Sequence, residues 1–247
     1  MCGRFTLTTR YQDLADQLQL ELDDDDLAQY RPRYNIAPTE STVIAVRDGG
    51  RHRLVLARWG MPAPFGPGQD DPVGHINARA ETAAGKPAFR GAFLSGRCGV
   101  AADGFFEWTG PKGQRQPYWF HRADNRPMLL AGLYRDIVHP GGGERLRHFT
   151  ILTCAANQLV APYHRRMPVI LDPGAAALAS WLDPVAPEGQ AHGDKEDREA
   201  MRAALSSLLV PAPDDLLVAT PVSTRVNSTR HDDPACVEPI ELPDENG

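Results

Sequence analysis

The chain has 247 residues, of which 42% are hydrophobic and 23% are charged, so it is long enough to bury a core and is not a disordered segment. It has no apolar run of about 18 residues or more and no leader-like amino terminus, so we expect a cytoplasmic protein without a membrane partner. The formal net charge of −6, taken alone, argues against a nucleic-acid partner, because phosphate binding normally requires an excess of Lys and Arg.

The charges are unevenly distributed along the chain. Residues 27–171 hold 19 of the 26 basic residues and 10 of the 32 acidic residues, which gives this block a local net charge of +9. Of the 26 basic residues, 23 are Arg, whose planar guanidinium suits bidentate phosphate contacts, although a GC-rich coding bias gives the same skew. The sequence therefore predicts a basic middle flanked by acidic ends.

The first predicted elements follow from the spacing of apolar residues. Helical spacing predicts a helix over Tyr11–Leu22, which ends at the acidic run Asp23–Asp26. Short β-branched and aromatic runs separated by Gly and Pro then predict a series of strands, beginning with a hairpin around Asp48-Gly49-Gly50. These strands are Thr42–Val46, Leu54–Trp59, Gly99–Ala102, Gly104–Trp108, Tyr118–His121, Met128–Leu133 and Phe149–Thr153.

Helical patterns return near the carboxyl terminus. Asp172-Pro173 is a favourable start for a helix over Gly174–Leu182, and a second helix is predicted over Lys195–Leu209. Two closing strands are predicted at Val218–Thr220 and Val237–Ile240. The expected fold class is α+β: one domain over residues 1–242, with a sheet-rich, barrel-like core of mixed and antiparallel strands and a few flanking helices. Residues 184–194 and the short tail 243–247 are expected to be mobile.

The four cysteines, Cys2, Cys98, Cys154 and Cys236, show no metal-ligand spacing, so we expect free thiols, no metal site and no cofactor. Cys2 follows the initiator Met, and removal of Met1 gives an amino-terminal cysteine with both an α-amine and a thiol. Such a 1,2-aminothiol traps an aldehyde in two steps, a Schiff base followed by closure to a thiazolidine. The amine and the thiol titrate near about 8 and about 8.5 in model peptides, so both are partly nucleophilic at neutral pH.

Five segments combine charged, aromatic and small residues in a way that core packing alone does not require. They are Cys2-Gly3-Arg4-Phe5, Arg33-Tyr34-Asn35-Ile36-Ala37-Pro38, His75 to Thr82, Asp103-Gly104-Phe105-Phe106-Glu107-Trp108 and His164-Arg165-Arg166-Met167-Pro168. Together with Val222-Ser223 and Val226-Asn227, they resemble the SRAP family, the abasic-site processing proteins related to bacterial SOS-response-associated peptidases. The resemblance runs from Cys2 to Ile240.

This resemblance implies a function in the DNA damage response. The expected partner is single-stranded DNA that contains an abasic site, with a junction to double-stranded DNA as one candidate form and nucleoid association when DNA is bound. The ring-opened sugar of the lesion supplies the aldehyde that Cys2 captures, which shields the lesion. Lyase-like chemistry, reversal of the crosslink and self-processing peptidase activity belong to the same expectation, and we expect a monomer.

The resemblance also assigns roles to three residues besides Cys2. Asn77 orients Cys2 and the sugar, Glu107 accepts the proton of the Cys2 amine, and His164 protonates the sugar ring oxygen and assists reversal. Independently, a carboxylate flanked by aromatic residues, as Glu107 is, should be partly desolvated, which raises its pKa and suits proton transfer.

The remaining candidates are expected to hold the DNA strand or to shape the site. Arg4 and Arg79 are expected to contact phosphates, Trp59 is a candidate for base stacking with core packing as the alternative, and Glu81 is expected to pair with an arginine. The secondary cations for DNA are Arg58, Arg90, Arg165 and Arg166, and the residues expected to shape the loop below the site are Asn35 and Pro38.

Three other functions stay open at this point. A Met-Cys-Gly start is also typical of class II glutamine amidotransferases, amidohydrolases whose amino-terminal Cys attacks an amide. These enzymes usually carry an apolar residue after Cys-Gly and a second domain. A non-covalent reader of single-stranded DNA would use the same basic groove without forming a bond to Cys2, and its binding would be salt-sensitive. A thiol peptidase acting on its own amino terminus is the third alternative.

Overall fold

The computed structural model describes residues 2–18, 20, 30–62, 73–138, 145–171, 175–183 and 195–242. Asp23–Asp26, Asp172-Pro173, residues 184–194 and the tail 243–247 lie outside the described residues. The described strands are β1 Phe5–Leu7, β2 Arg33–Ile36, β3 Ser41–Asp48, β4 Arg51–Trp59, β5 Asn77–Arg79, β6 Arg97–Ala102, β7 Gly104–Thr109, β8 Gln116–Arg122, β9 Met128–Val138, β10 Arg145–Ala155, β11 Arg166–Pro168, β12 Ile170–Leu171 and β13 Leu217–Pro221. The described helices are α1 Tyr11–Leu18, α2 Ala80–Ala83, α3 Arg90–Ser95, α4 Ala175–Leu182 and α5 Lys195–Ser207, with 3-10 helices at Thr224–Asn227 and Pro234–Cys236.

Five of the strands close into a barrel. The antiparallel order runs β4, β3, β6, β9 and β10, and β10 then pairs with β4 in parallel, with His148 opposite Arg58. The predicted hairpin joins β3 to β4, and Gly49 and Gly50 both have positive φ, at 56° and 84°, as a tight turn of this kind requires. The prediction of an α+β fold with a barrel-like core is confirmed.

A second, antiparallel sheet places the amino terminus beside the barrel. Its strand order is β13, β8, β7, β1 and β2, with Phe5 opposite both Phe105 on β7 and Ile36 on β2. Phe5, Phe105 and Ile36 are fully buried, so the strand that follows the chain start is fixed by core packing. Residues 2–4 consequently lie next to the end of β7.

Two predicted elements need correction. The first predicted helix is observed as α1, which ends at Leu18 rather than at Leu22, and residues 21 and 22 are outside the described part of the chain. The predicted strand Val237–Ile240 is wrong: this segment contains a single bridge, from Pro239 to Val222, next to a 3-10 helix. Pro239 has no backbone N–H to donate to a strand ladder, which accounts for the irregular path. No described helix is long and apolar enough to span a membrane.

Candidate active site

Cys2 is buried at the end of the second sheet, just before β1. The Phe106 N–H donates to the Arg4 carbonyl at 3.0 Å, which continues the pairing of β1 with β7 up to the chain start. The Cys2 side chain is fully buried, and its Sγ lies 3.8 Å from the Arg4 carbonyl oxygen. Burial raises the pKa of the Cys2 thiol far above its usual value, and the negative charge of Glu107 adds to the rise. The thiol is therefore protonated at neutral pH.

Asn77 connects the barrel to Cys2. Strand β5 runs parallel to β10, with Asn77 opposite Ile151, and the Asn77 Nδ2 donates to the Cys2 carbonyl oxygen at 2.7 Å. Within the described residues, the Asn77 Oδ1 is buried and has no hydrogen-bond partner. Because a buried acceptor without a donor is costly, this oxygen is available to a ligand in the site.

Glu107 on β7 is only 4% exposed. Burial raises the pKa of its carboxyl group above the usual value, and the positive charge of His164 partly opposes this rise. The desolvation that its aromatic neighbours predict is thus present. Its partner on β8 is Tyr118, directly opposite, so the two side chains lie on the same face of the sheet.

His164 lies in the turn before β11, close enough for its charge to act on Glu107. The Arg166 backbone N–H donates to the His164 Nδ1 at 3.0 Å. The same Nδ1 lies 2.9 Å from the Arg166 carbonyl oxygen, so both backbone polar groups of Arg166 hold the imidazole in place. Cys2, Asn77, Glu107 and His164 form one cluster through these pairwise interactions.

A basic cleft begins two residues after Cys2. It has a volume of about 440 Å³ and is lined by Arg4, Trp108, Lys112, Gly113, Arg115 and Asn227. Three of these residues are cationic and none is acidic, although the whole chain has more acids than bases. Trp108 follows Glu107 in β7, so its indole lies on the opposite face of the strand from the carboxyl group. The Trp108 Nε1 donates to the Asn227 Oδ1 at 2.6 Å, which fixes the ring in the cleft wall.

Asn35 connects Arg4, which lines this cleft, to the carboxyl-terminal segment. Its Nδ2 donates to three carbonyl oxygens of the carboxyl-terminal segment, those of Val226, Ser228 and His231, and its Oδ1 accepts from the Arg4 Nη1 at 2.9 Å. The same Arg4 nitrogen also donates to the Val226 carbonyl at 2.9 Å. These contacts support the predicted role of Asn35 in shaping the site.

Pro38 lies in the turn that leads from β2 to β3. It precedes Thr39, which has a φ of 75° and whose N–H donates to the Trp59 carbonyl at 2.8 Å. The turn therefore ties the segment below the site to β4, and a site-shaping role for Pro38 stays a prediction.

Residues 1–229 match the family model described as SOS response associated peptidase (SRAP). The chain belongs to the SRAP family. The abasic site processing protein YoqW of Bacillus subtilis is 34% identical over 242 residues, which cover 96% of this chain and 99% of YoqW. The abasic site processing protein HMCES of Gallus gallus is 35% identical over 246 residues, covering 87% of this chain and 68% of HMCES.

Solved structures share the SRAP chain's fold. A crystal structure of a protein from Bacteroides thetaiotaomicron matches it with a TM-score of 0.81 at 22% identity, covering 97% of this chain and 100% of that one. A Bordetella bronchiseptica protein matches with a TM-score of 0.69 at 26% identity, covering 90% and 100%. The barrel and the second sheet are therefore an architecture seen in experimental structures.

Some cations predicted to bind DNA lie on the surface of the SRAP domain. Arg79, Arg90 and Arg165 are exposed and Arg58 is half-buried, so DNA contact by these residues stays a prediction. Arg79 is the last residue of β5, two residues after Asn77, with Thr153 of β10 opposite it.

The prediction that Trp59 stacks on bases is wrong. Trp59 is fully buried, with its ring centroid 5.0 Å from that of Phe5 and 6.3 Å from that of Phe149. Its Nε1 donates to the Ile76 carbonyl at 2.8 Å, so the only polar atom of the indole is also satisfied inside the protein. Because no face of the ring reaches solvent, Trp59 is a core residue that supports the barrel beneath the site.

The expected ion pair of Glu81 is confirmed, and its partner is Arg166. The Arg166 Nη1 and Nη2 donate to the two Glu81 carboxylate oxygens at 2.6 and 2.9 Å. Arg166 was also a secondary candidate for DNA contact. Its guanidinium is directed to a carboxylate in this structure, so such a contact requires an exchange of partners.

Sequence reasoning missed most of the residues that line the cleft. Trp108, Lys112, Arg115 and Asn227 were not singled out as DNA contacts, although two basic residues fall in the hairpin loop directly after the Glu107 strand. Both basic residues lie in the loop that follows the strand carrying Glu107, and a loop next to a functional residue is a common position for binding residues. No group of three or more His, Cys, Asp or Glu residues in the described ranges is arranged to hold a metal ion.

Proposed function

We propose that this SRAP protein captures abasic sites in single-stranded DNA through a covalent bond to Cys2 and thereby shields the lesion. Relatives with 34% and 35% identity are named abasic site processing proteins, which supports the substrate class. The observation that carries the proposal is the cluster of Cys2 with Asn77, Glu107 and His164, together with a cleft that begins two residues after Cys2 and whose charged lining residues are all cations. A cationic cleft suits a phosphate backbone.

The first step forms an imine. After removal of Met1, the α-amine of Cys2 attacks the C1′ aldehyde of the ring-opened sugar, and the carbonyl oxygen leaves as water. His164 donates a proton to the ring oxygen as the sugar opens, and Glu107 takes the proton that the ammonium must lose before attack. The free Asn77 Oδ1 accepts a hydrogen bond from a sugar hydroxyl.

The second step closes the thiazolidine ring. The Cys2 S–H adds across the C=N bond, so that a C–S bond forms and the thiol proton moves to the nitrogen. Neither step needs an oxidant or a reductant. Because burial keeps the thiol protonated, the amine is the first nucleophile and the thiol reacts only once the imine carbon lies beside it. Crosslink reversal, with His164 acting again, lyase-like cleavage and self-processing at Met1 belong to the same proposal.

The test is direct. We expect purified protein incubated with single-stranded DNA carrying one abasic site to give a species that survives denaturing electrophoresis. Its mass should equal that of the chain without Met1 plus the DNA, minus one water. An oligonucleotide with a tetrahydrofuran analogue, which has no aldehyde, is the matched control and should give none. A non-covalent reader predicts no such species, and an amidotransferase predicts ammonia release from glutamine. Either result without an adduct would overturn the proposal.

The rate of capture should depend on pH through Glu107. Burial raises the pKa of this carboxyl group, so it stays protonated, and unable to accept the amine proton, at pH values above the ordinary glutamate value of about 4.3. The rate should therefore fall with decreasing pH earlier than for an exposed glutamate. Glu107→Gln should lower the plateau about 100-fold or more and remove this dependence.

The control for Glu107→Gln is Glu199→Gln, which makes the same change of charge at an exposed position on α5. It should leave the single-turnover rate and its pH profile unchanged. A Glu107→Gln variant that keeps the wild-type pH profile would show that another group accepts the proton.

A further inference from the structure

The Arg166 guanidinium is paired with the Glu81 carboxylate, which lies between it and solvent. Both Nη atoms of Arg166 bond to the Glu81 carboxylate, and the Arg166 side chain is 16% exposed whereas that of Glu81 is 52% exposed. The Arg166 Nη2 also donates to the carbonyl and, at 3.3 Å, to the hydroxyl of Thr153. The guanidinium is thus anchored in the wall of the barrel independently of Glu81.

This pair adjoins the cluster around Cys2. Strand β10 lies between the two segments concerned, with Arg79 opposite Thr153 and Arg166 opposite Ala155. The Arg166 backbone N–H binds the His164 imidazole, so the guanidinium belongs to a neighbour of the candidate acid. Hydrogen bonds from Arg166 lower the pKa of Glu81, and the charge of Arg79 contributes in the same direction. Glu81 is therefore ionised at neutral pH, between two cations next to the site.

We propose that the Arg166 guanidinium is a phosphate-binding subsite that Glu81 fills in the free protein as an internal competitor of DNA. The inference rests on the proposed function. Carboxylates and phosphodiesters both accept two parallel N–H bonds from a guanidinium, so one anion can replace the other. Thr153 keeps Arg166 in place while the half-exposed Glu81 turns into solvent. A strand must displace Glu81 to reach this guanidinium, so Glu81 opposes the contact in wild type.

The experiment removes the competitor and measures non-covalent binding. The probe is single-stranded DNA with a tetrahydrofuran analogue, which cannot form an imine, titrated over a range of salt concentrations. Glu81→Gln should bind about threefold or more tighter at about 50 mM salt, and its dependence of log K on log salt should steepen by about 0.7, the value for one additional phosphate contact on a single strand. Glu199→Gln, the matched charge change on α5, should leave the slope unchanged.

Two further variants test whether the effect passes through Arg166. The double variant Glu81→Gln with Arg166→Gln should lose the gain entirely. Arg166→Gln alone should keep the wild-type slope, because Glu81 fills this guanidinium in wild type, and its slope should be about 0.7 shallower than that of Glu81→Gln. If Glu81→Gln fails to fold, Glu81→Asp, whose shorter side chain loosens the pair, takes its place in the salt titration. Thermal unfolding of each variant checks the fold. An unchanged slope in folded Glu81→Gln, an equal gain in Glu199→Gln, or a gain that persists in the double variant would each overturn the inference.

Failure of the subsite is distinguishable from failure of the proposed function. Covalent capture is scored separately, with wild-type protein and an aldehyde-containing abasic site. An adduct in that assay without a gain for Glu81→Gln rejects the subsite alone. Absence of the adduct rejects covalent capture, while the salt titration with the tetrahydrofuran probe still decides whether Arg166 exchanges Glu81 for phosphate.

Discussion

Replacement of Cys2 by alanine is expected to reduce the denaturant-resistant adduct with abasic DNA to background. The variant keeps an α-amine after removal of Met1, so it still forms an imine, but it has no thiol to close the ring. Imines hydrolyse on denaturation, whereas borohydride reduces them to stable amines. Cys2→Ala should therefore give an adduct only in lanes treated with borohydride, and wild type should give one in both.

Cys2→Ser separates the thiol from the shape of the side chain. A hydroxyl is a poorer nucleophile than a thiol towards the imine carbon, so we expect a weaker adduct, or one that requires borohydride. The change is small in volume, and Cys2 is fully buried, so thermal unfolding should confirm that the variant folds. An adduct of Cys2→Ala or Cys2→Ser as durable as that of wild type, without reductant, would show that the thiol is dispensable.

A blocked amino terminus provides the complementary control. An uncleavable extension in front of Cys2 converts the α-amine into an amide, which cannot form an imine. This protein should give no adduct with or without borohydride, although its thiol is intact. An adduct in this case would mean that a different nucleophile, such as a lysine, attacks the sugar.

The sequence predicted those elements whose pattern is local. The hairpin of β3 and β4 was predicted from two apolar runs and a Gly-Gly turn, and α1 from apolar residues at helical spacing. Strands β1, β5 and β11 were not predicted, since each has three residues and is defined only by its partner. For β5 that partner is β10, which follows much later in the chain, and no local pattern reports such a pairing.

The candidate site shows the same difference between local motifs, which the sequence reveals, and long-range contacts, which it does not. Cys2, Asn77, Glu107 and His164 were singled out because each lies in a distinctive short motif, and the structure brings the four together. The contribution of the carboxyl-terminal segment was not predicted. Asn35 and Arg4 donate hydrogen bonds to backbone carbonyl groups of this segment. Every residue has such a carbonyl group, so these contacts leave no recognisable pattern in the sequence.

Trp59 and Trp108 show how burial decides between core and surface roles. Both end a predicted strand with an apolar pattern, so sequence alone does not separate them. Trp59 packs between two phenylalanines in the barrel, and its replacement by alanine should cost about 3 to 5 kcal/mol of the free energy of unfolding. Since domains are stable by about 5 to 15 kcal/mol, Trp59→Ala should be partly or largely unfolded at 37 °C, as measured by urea or thermal unfolding.

Trp108→Ala should show the opposite pattern. Trp108 lies in the wall of the basic cleft, so its loss should change the free energy of unfolding by about 1 kcal/mol or less. Stacking of a base on an aromatic ring contributes about 1 to 3 kcal/mol, so the affinity for single-stranded DNA should fall about fivefold to 150-fold.

Trp108→Phe tests what the ring itself contributes. It keeps an aromatic face and loses the hydrogen bond to Asn227, so it should recover most of the affinity if stacking is the main interaction. Affinity lost equally in the Phe and Ala variants would instead assign the effect to the Asn227 contact. A stable Trp59→Ala protein with impaired DNA binding would contradict the core position of Trp59, because a fully buried indole with both faces packed can influence DNA only through the stability of the barrel beneath the site.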